Sequence, residues 1–197
     1  MGFINWIAVI VILLASTGLL LSRDWRWSLS LLAVLHLGIF ILVNRYWPLG
    51  MSAVKLITGW MGCAILGLTR WILRSGSTPE SSWPQGRTFR LLSAGLVIVA
   101  TAAVSPVISD RLAAITLPVA WGGILAIGMG LVHIGMTTQP SRVIVALLTI
   151  LAGFELIYAA VEGSTLVAAM LAGVNLGLAL LGAYLLNLPV PGEAKRS

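Results

Sequence analysis

The stretch VIVALLTILAGFELIYAAV, residues 143–161, is apolar over bilayer length and carries a single carboxylate, Glu155. The hydrocarbon core of a bilayer needs about 20 mostly apolar residues in a helix that crosses it. A charged group near the middle of such a helix costs about 2.5–3.5 kcal/mol on insertion scales, so it normally faces protein or water. The stretch therefore predicts a transmembrane helix and makes Glu155 the first candidate for a functional residue.

The rest of the chain has the same apolar character. Its 197 residues are 59% hydrophobic and 9% charged, with a mean hydropathy of +1.03, whereas soluble domains are about 25% charged. The composition predicts an all-α polytopic integral membrane helix bundle. Seven apolar runs are long enough to be spans, over residues 4–21, 27–43, 50–72, 91–109, 112–136, 143–161 and 165–187.

The basic residues between these spans predict the orientation. Nine of them fall on one side and only Arg45 and Arg111 on the other, and Lys and Arg concentrate in cytoplasmic loops. We therefore expect a multi-pass protein of the cell inner (cytoplasmic) membrane, with its N-terminus outside and its C-terminus inside. The net charge of +6 forms no basic stripe with interleaved aromatic residues, so the partner that we expect is the lipid bilayer and not nucleic acid. The nine residues are Arg23, Arg26, Arg70, Arg74, Arg87, Arg90, Arg142, Lys195 and Arg196.

A long polar segment divides the predicted helices into two groups. Residues 74–90, RSGSTPESSWPQGRTFR, are rich in Pro and Ser and predict a cytoplasmic linker without a folded domain. The predicted parts are a three-helix part (1–73), this linker, a four-helix part (91–187) and a cytoplasmic tail (188–197). Pro106 and Pro118 fall inside predicted spans and predict kinks. Tryptophans near predicted span ends are expected to be interfacial anchors, namely Trp25, Trp27, Trp47, Trp71 and Trp83.

Few residues in the spans can carry charge. We expect Glu155 to be protonated, or ionised beside a cation or a water chain, and either state suits a proton relay. The alternative is a static hydrogen bond between helices. Lys55 lies about one turn inside the third span, where its stem can carry the ammonium group to the interface. We favour this snorkelling, and the alternative is a buried cation within a hydrophilic axis. No motif of a soluble enzyme is present, so the chain is not expected to be catalytic alone.

Three further residues are candidates for a proton or ion path. His36 lies midway along the second span and can shuttle a proton near neutral pH. His133 lies close to the cytoplasmic end of the fifth span. The two histidines could instead be axial haem ligands, but their predicted depths match poorly. Asn175 lies in the seventh span near small residues, where an amide normally hydrogen-bonds between helices and can also support water.

The C-terminal part carries a family resemblance. The run PVAWGGILAIGMGLV (118–132), the basic turn ending in Arg142, the string Gly-Phe-Glu-Leu-Ile (153–157) and the string Leu-Gly-Leu-Ala-Leu-Leu (176–181) resemble the K subunit of bacterial complex I and the C subunit of Mrp-type cation/proton antiporters. The K-like unit would extend over about residues 112–187. The resemblance implies that Glu155 corresponds to the glutamate of a hydrophilic axis along which protons are thought to move.

Over its whole length the chain is more similar to the hydrogenase-4 component E family, a longer K-like membrane subunit. Ser-Ala-Val-Lys (52–55) and the apolar run after it are similar to that family's third span. The resemblance departs at Gly173, where the family's second acidic residue would fall. A relay of two carboxylates therefore does not carry over directly, and Asn175 or a partner's residue is the expected substitute.

The resemblance implies a subunit of a complex I-like energy-converting assembly, either a membrane-bound hydrogenase or oxidoreductase or an Mrp-type antiporter. Its partners would be antiporter-like and other small membrane subunits. No cofactor is expected in this chain, and redox cofactors are expected in the partner subunits. Two other classes stay open, namely a structural or assembly subunit of a photosynthetic or respiratory membrane complex and a small independent transporter.

Overall fold

The computed structural model describes residues 2–22, 24–73 and 86–188, and within these ranges the chain forms seven α-helices and no strand. All seven are long and apolar enough to cross a membrane. The predicted all-α, multi-pass bundle is confirmed. The helices are α1 (Gly2–Leu21), α2 (Trp25–Val43), α3 (Leu49–Ile72), α4 (Arg87–Arg111), α5 (Leu117–Gly135), α6 (Pro140–Val161) and α7 (Thr165–Asn187).

Two predictions about where helices begin are wrong, one at Pro118 and one at the end of the linker. We expected a kink at Pro118 inside a span, but α5 begins at Leu117 and Pro118 lies in its first turn. A proline costs little there, because the first N–H groups of a helix have no partner within it. The predicted linker also ended too late, because α4 begins at Arg87. Pro106 lies inside α4 as predicted, whereas the linker residues 74–85, including Trp83, and the tail residues 189–197 lie outside the described residues.

The helices run alternately up and down, which gives the bundle two ends. We call the end where α1 begins the first end and the end where α1 finishes the second end. At the first end, the Trp47 indole N–H donates to the Glu162 carbonyl oxygen at 3.1 Å. At the second end, Arg90 and Arg142 donate to the carbonyl oxygens of Leu20 and Ser22 at 2.8 and 2.9 Å.

These hydrogen bonds form where they do because the last carbonyl groups of a helix lack partners within it and its C-terminal end attracts cations. The two arginines are 3% and 6% exposed, so α1 ends against buried guanidinium groups. Trp47 is itself only 5% exposed. Our expectation that Trp47 is an interfacial anchor is therefore wrong, because its ring is packed inside the bundle and its N–H is used there.

The core is built from the close approach of α5 and α6 and from α1 and α2 packed beside them. A Cβ atom built on Gly153 would lie 2.7 Å from the Gly123 carbonyl oxygen and 2.9 Å from the Ala126 Cβ. Contact this close requires glycine, and it lets α5 and α6 pack backbone against backbone. By contrast, α4 and α7 are the least buried helices, with 22% and 17% of their apolar windows covered. Much of their surface therefore faces outward.

Candidate functional site

One face of α3 carries the residues on which the candidate site is built. Ser52, Lys55, Gly59, Gly62 and Leu66 are buried and recur at alternating spacings of three and four residues, which places them on one side of a helix. The other three sides of this region are formed by α2, α6 and α7. Polar side chains from each of these helices meet the α3 face at successive turns.

At the first of these turns, Lys55 forms an ion pair with Glu155 of α6. The two residues are 7% and 3% exposed. Lys55 lies six residues after the start of α3 and Glu155 six residues before the end of α6, so both lie about 9 Å from the first end. Our favoured prediction that Lys55 snorkels to the interface is wrong, because its ammonium group turns inward to the carboxylate. The structure instead agrees with the alternative, a buried cation, and with an ionised Glu155 beside it.

The pair connects two helices that hardly touch each other. Among the described residues, α2 and α7 each pack against both α3 and α6, whereas α3 and α6 make almost no backbone contact. Lys55 and Glu155 therefore reach across the middle of a group of four helices. The same two helices are linked again near the second end, where Arg70 donates to the Ser141 hydroxyl at 2.7 Å.

A cleft leads to the ion pair from the first end. It encloses about 600 Å³, part of it open to the surroundings. Lys55, Thr58 and Glu155 form its polar floor, and its walls come from the beginnings of α3 and α7. The remaining lining residues are Trp47, Met51, Val54, Thr165, Ala168, Ala169, Leu171 and Ala172. Small side chains on α7 leave this space, so the charged pair is buried but lies at the base of an opening.

One turn deeper, His36 of α2 lies against Gly59. The ring is 2% exposed, and a Cβ atom built on Gly59 would lie 2.7 Å from its Nε2 and overlap the ring. The ring Nδ1 donates to the Leu32 carbonyl oxygen at 2.9 Å, since a carbonyl oxygen can only accept. In the neutral imidazole the other nitrogen, Nε2, is then an acceptor. It has no hydrogen-bond partner among the described residues.

One further turn along α3, Asn175 of α7 lies beside Gly62. Asn175 is 1% exposed, and its amide oxygen has no hydrogen-bond partner within the described part of the chain. A Cβ atom on Gly62 would lie 3.8 Å from that oxygen and 3.5 Å from the Ala179 Cβ. Asn175 thus faces α3 and belongs to the same polar row as His36 and the ion pair.

His133 lies elsewhere. It is 3% exposed and occupies the last turn of α5, at the second end of the bundle. His36 instead lies seven residues before the end of α2, on the side of the first end. The structure therefore brings together four of the five predicted residues, Lys55, His36, Glu155 and Asn175. The two histidines lie at different depths, which disfavours a shared haem.

The sequence reasoning missed the role of the two glycines. Gly59 and Gly62 follow Lys55 at helical spacing, and each makes room for a polar side chain from a neighbouring helix. That spacing was visible in the sequence, but the partners that fill the space were not. Within residues 2–22, 24–73 and 86–188, no group of three or more His, Cys, Asp or Glu side chains could hold a metal ion.

No family model, curated protein or solved structure matches this chain. The chain is a multi-pass α-helical membrane protein with an ion pair buried among four of its helices.

Proposed function

We propose that the protein contributes to a proton or cation translocation path through Glu155 and Lys55, as a membrane subunit of a complex I-like energy-converting assembly. The observation that carries the proposal is the Lys55–Glu155 ion pair, buried at one depth at the base of a cleft. The resemblance of residues 118–187 to the complex I K subunit supports the assignment to such an assembly.

Stability alone is a weak reason to keep this pair. Burying two charges costs desolvation free energy that their attraction repays only in part, and apolar residues of similar size are often as stabilising or more so. Ionisable residues inside membrane spans are rare and generally belong to ion or proton pathways. A packing subunit would gain as much from a Leu–Leu contact between α3 and α6. The charged pair therefore favours transport over a purely structural role.

The chemistry of the pair allows one proton to move for each cycle. The Glu155 carboxylate accepts a proton from water in the cleft, which removes its negative charge and its attraction for Lys55. The ammonium group then gives a proton to an acceptor deeper in the bundle. Transfer of the proton from the Glu155 carboxyl group to the neutral Lys55 amine restores the pair, so one proton has passed inward.

In the proposed orientation the first end, with its cleft, faces the outside of the inner membrane and the second end faces the cytoplasm. The charge asymmetry between the loops supports this orientation of the protein in the membrane. Partner subunits are expected against α4 and α7, the helices with the largest uncovered surface. Redox cofactors belong to those partners in this proposal.

The test begins with purification from the native membrane in mild detergent and identification of the proteins that accompany the chain. Recovery with antiporter-like subunits and redox proteins supports the assembly. Recovery alone, combined with transport by the pure protein in liposomes, would indicate an independent transporter.

The second step measures coupled proton transport in membrane vesicles by the quenching of a pH-sensitive dye. Glu155→Gln is expected to abolish transport and Glu155→Asp to retain part of it, because only the latter keeps an ionisable group. The matched control is Glu162→Gln, which removes an exposed carboxylate at the end of the same helix. Full coupling in Glu155→Gln would refute the transport role and favour a packing subunit.

A further inference from the structure

The polar row continues inward beyond the ion pair and then stops. Along α3, Lys55 is followed by His36 at Gly59 and by Asn175 at Gly62. The next position of this face is Leu66, which is 2% exposed. From Lys55 to Leu66 the distance along the helix is about 16 Å. The row therefore covers roughly the middle of the bundle.

The two innermost polar groups need hydrogen-bond donors. The Nε2 of His36 and the amide oxygen of Asn175 are both acceptors, both buried, and both without a partner among the described residues. A buried polar atom without a partner destabilises the folded protein, and bound water commonly satisfies such groups. Water suits this pair of atoms, since one molecule has two O–H donors.

The two acceptors face neighbouring positions on one side of α3. The glycines that they face are three residues apart, and Cβ positions at this separation lie about 5–6 Å from one another on a helix. Because neither glycine carries a side chain, the His36 ring and the Asn175 amide both lie beside the α3 backbone. Lys55 lies one turn away and carries three N–H donors, so it can donate to water on the same row.

Beyond Asn175 three helices close the row with apolar groups. A Cβ atom on Gly182 of α7 would lie 2.7 Å from the Leu66 Cδ2 and 2.9 Å from the Ile144 Cγ2. Leu66 and Ile144 are each 2% exposed. The contact among Leu66, Ile144 and Gly182, which we call the apolar seal, consists of apolar groups from three helices.

A second, narrower cleft lies on the other side of the apolar seal, and part of its roughly 370 Å³ is open to the surroundings. Leu66 lines it, together with Arg70, Ser141 and Arg142 near the second end. Leu66 thus separates the polar row from the cleft at the second end. At the other end of the row, Lys55 and Glu155 line the cleft at the first end.

We propose that His36 and Asn175 bind water next to Gly59 and Gly62, and that this water passes the proton released by Lys55 to the Nε2 of His36, which holds it behind the apolar seal. This inference rests on the proposed function for the direction of the proton, but the water site itself does not. Passage to the second cleft then requires the seal to open. The ligand class is water.

The water site can be tested without measuring transport. The chain contains two histidines, so ¹⁵N-histidine labelling of the full-length protein in lipid bilayers gives few signals, and His133→Gln assigns them. We expect magnetisation to pass from water to the His36 Nε2 in water-edited solid-state NMR. Asn175→Leu should remove this transfer, whereas the control Asn187→Leu, at an exposed position of the same helix, should keep it. Absence of transfer in the unaltered protein would overturn the water site.

The apolar seal is tested with the purified full-length protein in liposomes. Leu66→Ser should raise passive proton leakage about tenfold, which corresponds to a barrier lowered by about 1.4 kcal/mol. Leu68→Ser, at a side chain that is 58% exposed on the same helix, should leave leakage unchanged. If Leu66→Ser protein that is folded by circular dichroism stays as tight as the unaltered protein, the seal is refuted.

The two proposals can fail separately. If Glu155→Gln leaves coupled transport intact while water still reaches the His36 Nε2, the proposed function fails and the water site stands. If Glu155→Gln abolishes transport but no water reaches that nitrogen, the inner relay fails and the function stands. Adding Glu155→Gln to Leu66→Ser should suppress the leak, because the leak should run through the ion pair.

Discussion

Replacing one partner of the Lys55–Glu155 pair should destabilise the protein more than replacing both. With Lys55→Met, Glu155 is left at a position 3% exposed, and with Glu155→Leu, Lys55 is left at a position 7% exposed. Two unit charges about 4 Å apart attract each other by about 4 kcal/mol at an effective dielectric constant of 20. Loss of one partner from a buried pair costs about 3–5 kcal/mol. We expect each single substitution to cost that amount.

The double substitution Lys55→Met/Glu155→Leu leaves neither charge unpaired and replaces the pair with an apolar contact, which is often neutral or stabilising. We therefore expect it to be more stable than either single variant. The assay is reversible unfolding in mixed micelles by titration with sodium dodecyl sulfate, which yields the free energy of unfolding. Glu162→Gln, at an exposed site, should change this free energy by no more than about 0.5 kcal/mol. If the double variant shows the sum of the two single losses, the two side chains are not coupled and the reasoning is wrong.

Two other predictions concern glycines in the bundle. Gly59→Ala would press a methyl group against the ring of His36 and should cost about 1–3 kcal/mol by overpacking, measured by the same unfolding assay. His36→Ala should restore part of this loss, and no recovery would contradict the proposed contact. Gly153→Ala should lower stability by a similar amount, because its methyl group would lie 2.7 Å from the Gly123 carbonyl oxygen. Gly173→Ala is the control, since nothing lies within 4 Å of its Cβ position, and equal losses in both variants would exclude backbone crowding as the cause.

The spans could be predicted because each is an apolar run of bilayer length. Few structures other than a transmembrane helix require an apolar run that long. All seven predicted spans correspond to a helix. Span ends were less certain, because a proline can kink a helix or begin one, and hydropathy does not distinguish the two. Pro118 lies in the first turn of α5, so it begins that helix and does not kink it. At Pro106 the helix continues through the proline.

The ion pair could be predicted only in part. A carboxylate in the last third of a membrane span needs a cation or water, so Glu155 was identifiable from its own helix. Lys55 was not, because a lysine about 9 Å from a helix end can reach the interface as easily as a buried partner. The choice depends on which helices surround α3, and apolar runs contain no information on helix neighbours. Only the bundle shows that α3 faces α6 across α2 and α7.

The arrangement of the helices also bears on Gly173, the position at which the resemblance to the complex I K subunit would place a second acidic residue. Successive residues turn by about 100° around a helix, so Gly173 and Asn175 point about 200° apart. Asn175 faces Gly62 of α3, whereas Gly173 is exposed and has nothing within 4 Å of its Cβ position. A carboxylate at position 173 would therefore point away from Lys55, toward lipid or a partner subunit. In the proposed proton path, Asn175 is the α7 residue that faces α3 beyond the ion pair. Its amide oxygen accepts hydrogen bonds from water but carries no charge, so the inner half of the proposed path depends on water.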